Sequence, residues 1–150
     1  MSSRRPSALL LAAVLVASLL AGCSGDDRSD DTARAPHDVA RAIGRALDAR
    51  ARVVRRGDGE AFARLVGGDR AFRDSQRTWF GNLTQLPIAR LRFDLDPGSI
   101  VRDGRTYSAT ADEVLELAGY DEAPVRSAER FELRPAAHHP GRFLVTGVVP

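Results

Sequence analysis

The chain has 150 residues, 43% hydrophobic and 28% charged, which describes one ordinary globular domain with a modest core and excludes wholesale disorder. Its 22 basic residues are all arginine and stand against 20 acidic ones. Residues 1–22 carry Arg4 and Arg5 and no acid, so the rest is charge-balanced and has no field to hold nucleic acid.

The first element is a leader. Arg4 and Arg5 form a short positive region, and Ala8 to Ala21 make an uncharged run rich in Leu, Ala and Val. About 14 residues as a helix reach roughly 21 Å, short of the ~30 Å hydrocarbon core that a spanning helix must cross. The run ends in Leu20, Ala21, Gly22 and Cys23, the chain's one cysteine. That pattern matches a secretory signal peptide over residues 1–22, and its end resembles a bacterial lipobox. The resemblance implies a thioether-linked diacylglyceryl group on Cys23, cleavage before it, and a lipoprotein whose palmitate-type acyl chains hold it to the outer face of the cell membrane. Two acyl chains anchor stably where one binds only marginally. General secretion is the expected route, because Pro6 and Ser7 depart from the twin-arginine pattern. A single cysteine allows no disulfide within the chain.

Residues 23–36 follow the lipid site as a small, polar and acidic stretch without apolar periodicity. It cannot bury enough surface to offset chain entropy and reads as a flexible tether. The folded domain is expected over 37–150. From Asp38 the apolar residues Val39, Ile43, Leu47, Ala51 and Val54 recur every three to four positions and make one buried stripe on a helix, with the arginines at 41, 45, 52 and 55 largely off it. Gly57 stops this helix and Asp58 is placed to cap a second, whose buried side is Phe62, Leu65 and Val66. Its RGD tripeptide is better explained by that cap than by adhesion. Gly67 and Gly68 end the second helix, and Asp69 caps a third with Phe72, Gln76, Trp79, Phe80 and Leu83 along one face.

After Pro87 the period changes to two. Leu91, Phe93 and Leu95 alternate with charged residues in a half-buried strand ended by a Pro97-Gly98 turn. Further strands are expected from about Thr106 to Leu117, from Val125 to Leu133 and from Arg142 to Val149. Short links between them argue for an antiparallel meander. The class is therefore α+β: N-terminal helices packed on a curved antiparallel sheet of about four strands.

The stretches "RRGDGEAFARLV", "FRDSQRTWFGNL", "LPIARLRFDL", "LAGYDEAPV" and "GRFLVTG" resemble the N-terminal module of uncharacterised actinobacterial secreted and membrane proteins. The resemblance implies an NTF2-like, cystatin-like cone. Some such proteins continue into a domain of metallopeptidase character; this sequence has no HExxH pair, and no peptidase activity carries over.

No motif commits the chain to a reaction. His37, His138 and His139 are expected in exposed positions, and adjacent histidines are poorly disposed to share one ion. Ser75, Ser99, Ser108 and Ser127 lack a G-x-S-x-G turn, and the glycines match neither a P-loop nor a dinucleotide fingerprint. An NTF2-like pocket would draw on Trp79, Asp94, Asp112 and Glu113, although strand carboxylates are more often solvated and Trp79 more often belongs to a core. No catalytic residue, metal or cofactor is expected. The reading is a non-catalytic binding or interaction domain on a membrane anchor, taking an envelope protein or a small apolar ligand. The alternatives are a small pocket enzyme of isomerase or hydrolase type, and a spacer or regulatory fragment of a larger envelope protein.

Overall fold

A computed structural model of the chain describes residues 37–149. The leader, the lipobox Leu20, Ala21, Gly22 and Cys23, and the acidic tether lie outside the described residues.

Helix α1 spans His37–Arg55 and buries Ile43, Leu47, Ala51 and Val54 of the stripe its spacing predicts, together with Ala42, while Val39 is only half-buried. Arg50 is buried on the same side. Gly57 takes φ +65, a left-handed conformation that glycine adopts without a Cβ penalty, and turns the chain out of the helix. Asp58 then accepts a hydrogen bond from the Ala61 amide at 2.9 Å and starts α2, Gly59–Ala63. This helix is one turn long and buries Phe62. Leu65 and Val66 fall beyond it, and Val66 bridges to Val145 in the sheet instead. Gly68, at φ +82, passes so close to the sheet that an added Cβ would meet the Thr146 carbonyl at 2.9 Å. Asp69 accepts from the Phe72 amide at 2.8 Å and caps α3, Arg70–Leu83.

Five strands make one antiparallel sheet: β1 Ile88–Leu95, β2 Val101–Asp103, β3 Thr106–Leu117, β4 Val125–Pro135 and β5 Phe143–Val149. The order is β1-β3-β4-β5, with β2 also paired to β3. The short β2 goes beyond the four strands expected from the sequence. Its edge is split from β1 by a 3-10 turn at Pro97–Ser99, where Ser99 Oγ accepts the Thr110 amide at 2.8 Å in place of a ladder partner. The Pro97-Gly98 turn ends β1 after Leu95, as the sequence predicts, and the edge resumes as β2 beyond it.

The helices cover one face of this sheet. Ile43 and Leu47 from α1, Phe62 from α2, Leu91 and Phe93 from β1, and Phe131 and Leu133 from β4 belong to one core. Two aromatic pairs fix the sheet's inner side, Phe93 with Phe131 at 5.4 Å and Tyr107 with Phe143 at 5.3 Å between ring centroids, both edge to face. The opposite face carries charge. Arg92, Asp94, Asp112 and Arg126 project there by strand alternation, and Asp94 pairs with Arg92 at 2.8 Å.

Candidate functional site

The helix-to-sheet interior is not apolar throughout. Arg50 follows Leu47 by three residues and precedes Val54 by four, so helical geometry places it in the stripe that faces the core. Its side chain is carried inward and is only 2% exposed. There its guanidinium lies over the Trp79 ring, 4.2 Å from the centroid, and 4.8 Å from the Phe62 ring centroid. One nitrogen, Nη2, donates to Gln76 Oε1. The other two, Nε and Nη1, are buried and have no hydrogen-bond partner. An arginine has five N–H donors, and leaving buried ones unmade costs about 1–3 kcal/mol per group.

Beside this arginine is a cavity of about 220 Å³. Arg50, Gln76 and Trp79 line it from the helices, and Phe93, Glu113 and Glu129 from the sheet. Phe131 and Val148 complete its apolar wall. One ordered water needs about 10–15 Å³ of such space, so the cavity holds far more than a single bridging solvent molecule.

The two glutamates reach the cavity through strand alternation. Glu113 on β3 is opposite Phe93 on β1 and Ser127 on β4, while Glu129 on β4 is opposite Ala111 on β3. All five therefore share the inner face, with Glu113 and Glu129 as diagonal neighbours. Ser127 Oγ donates to Glu129 Oε1 at 3.3 Å. Among the described residues neither glutamate forms an ion pair with Arg50. The cation and the carboxylates share the cavity wall without closing on each other.

Burial sets the electrostatics of both ends. It lowers Arg50 below the usual guanidinium range to about 10, against the opposing pull of Glu113 and Glu129, so the side chain stays cationic at neutral pH. Glu113 is pushed above the ordinary carboxylate range, first by burial and then by the like charge of Glu129, with Arg50 opposing both. Chemically, the site can offer cationic donors, carboxylate acceptors and aromatic faces to one small molecule.

Of the four pocket residues expected from the sequence, Trp79 and Glu113 line this cavity. Asp94 and Asp112 do not join them. Asp94 is opposite Asp112 across the β1–β3 pairing, and both lie on the sheet face away from the helices. The physical reason is parity: Asp94 sits between the inward Phe93 and Leu95, and Asp112 next to Glu113, so each must point outward. Arg92 and Arg126 both pair with Asp94 there. Sequence reasoning missed Arg50 and Glu129 as site residues. The signal for Glu129 was its alternation with Phe131 and Leu133, and for Arg50 its place between Leu47 and Val54.

A search of known structures finds a designed protein, a variant of Rd1NTF2_05, with a TM-score of 0.52 over 74% of this chain and 95% of that one. The fold is NTF2-like. At 16% identity the similarity concerns architecture alone. No protein-family description matches the sequence, and no curated protein matches it. Among the described residues, no helix is long and apolar enough to cross a membrane, and no cluster of three metal-ligating side chains is found.

Proposed function

We propose that this chain is a lipoprotein, tethered through Cys23 to the extracytoplasmic face of the cell membrane, whose NTF2-like domain binds a small polar ligand in the Arg50–Glu113–Glu129 cavity. The observation that carries the binding function is the buried guanidinium with two unpartnered nitrogens beside a cavity of about 220 Å³. A group that costs stability when unpaired and abuts empty space is one that an incoming acceptor would satisfy. The charged wall favours a polar ligand over the apolar one expected from the sequence, with Phe93, Phe131 and Trp79 left to contact its apolar part.

The experiment is a ligand screen of the full chain with small polar solutes, read by the emission of Trp79, the only tryptophan. Saturable changes that Arg50→Gln abolishes would support binding in this cavity. A flat response to every solute would refute it. The anchor is tested separately by intact mass from the native host, where an unacylated Cys23 would remove the membrane from the account.

Glu113 favours a second reading. A carboxyl group held above its ordinary range next to a cavity suits proton transfer, as in a small isomerase or hydrolase. Turnover of a bound compound, lost in Glu113→Gln even at saturating compound, would decide for it.

A further inference from the structure

The cavity's charges are arranged so that few ligand classes can satisfy all of them. Resting on the binding function proposed above, we infer that the ligand is a small zwitterion of the amino-acid type, its carboxylate meeting Arg50 and its ammonium meeting Glu113 and Glu129.

Each simpler ligand charge type leaves part of the cavity wall unmet. Arg50 is held by one hydrogen bond to Gln76 and by the faces of Trp79 and Phe62, and its Nε and Nη1 still require acceptors. A carboxylate matches a guanidinium with two parallel hydrogen bonds and an opposite charge. A simple anion, however, would stand in the field of two glutamates. The carboxylates have the converse need. Glu113 and Glu129 are diagonal neighbours on one sheet face, a relation that sets backbones roughly 7–8 Å apart and lets one ammonium sit between two carboxyl groups. A simple cation there would leave the Arg50 donors unmet and feel their repulsion.

A neutral polar molecule could hydrogen bond at both ends but would not neutralise the two carboxylates against each other. Only a ligand carrying both charges answers both walls. The aromatic side chains Phe93, Phe131 and Trp79 supply the remaining surface, which suits an apolar side chain and also favours an ammonium near ring faces.

The test uses the full chain and Trp79 emission, with L-leucine, glycine and L-phenylalanine as zwitterions. L-leucine is compared with 4-methylpentanoate, which keeps the carboxylate alone, and with 3-methylbutylamine, which keeps the ammonium alone. At least one zwitterion is expected to saturate the signal, and for L-leucine each single-charge analogue should bind at least ten-fold more weakly. Glu129→Gln, at a half-buried position, and Arg50→Gln should each weaken zwitterion binding at least ten-fold, with circular dichroism confirming that both variants fold. Equal binding of the analogues, or binding unchanged in Glu129→Gln, overturns the zwitterion while leaving a ligand-binding cavity in place. No response to any of the five compounds overturns it too, and the wider solute screen then decides whether the cavity binds anything.

Discussion

Helix α1 and strands β3 and β4 each serve two different interiors, one at either end. Toward one end their inner faces present Ile43 and Leu47, Tyr107 and Ala109, and Leu133, all buried and apolar. Toward the other the same faces present Arg50, Glu113 and Glu129 around a cavity. Strand alternation runs through both ends alike; the residue type on the inner face differs. The dry end has the close packing that stability requires, whereas the polar end leaves hydrogen-bond donors unmade and like charges adjacent. Such an arrangement opposes folding locally and is the usual signature of a site kept for binding.

The sharpest way to break this comparison is to cut into the dry end. Leu47 has no exposed surface, so Leu47→Ala should cost about 2–5 kcal/mol by removing buried methyl groups and leaving a cavity. Urea denaturation measures it, and a loss below about 1 kcal/mol would show that this end is not the stabilising one. Glu113→Gln probes the other end and should act through pH. Because the folded state holds the Glu113 proton more tightly than the unfolded chain, its protonation favours the fold at low pH, and that contribution is lost as pH rises from 4.5 through the raised value. The variant should therefore gain stability relative to wild type as pH rises to neutrality. Parallel stability curves would contradict the placement of Glu113. A smaller effect belongs to neither end: Asp69→Ala removes the α3 cap and should cost about 1 kcal/mol in thermal unfolding. Smallest of all, Arg41→Ala breaks an exposed pair with Asp38 and should change stability by no more than about 0.5 kcal/mol.

The same contrast explains what the sequence discloses. Periodicity reports which way a side chain faces, and the stripe of α1, the two aspartate caps and the inward Phe93 were all legible from it. So was the meander, since each strand alternates and the links are short. The β2 strand was not, because a Pro97-Gly98 turn signals an ending and only the Ser99 hydroxyl, standing in for a backbone partner, lets pairing resume. For the site, periodicity was sufficient for orientation and residue type misled. Arg50 occupies a core position but belongs to a residue class that normally stays in water, and Asp94 looks like chemistry but has outward parity. The cavity itself depends on how α1, α3 and the sheet diverge, a distance that no local pattern contains.

The polar end is retained for a ligand and not for stability. The stability of the full chain carrying Arg50→Met with Gln76→Leu, measured by denaturant unfolding without ligand, tests it most directly. Two unmade donors at about 1–3 kcal/mol each stand against two cation–π contacts, to Trp79 and Phe62, at about 0.5–2 kcal/mol each, and the gain of about 1–4 kcal/mol often seen when buried charged groups are replaced by apolar ones tips the balance. The variant is expected to be more stable than wild type and no longer to alter its Trp79 emission with ligand. A variant less stable than wild type would contradict it and make Arg50 a structural residue.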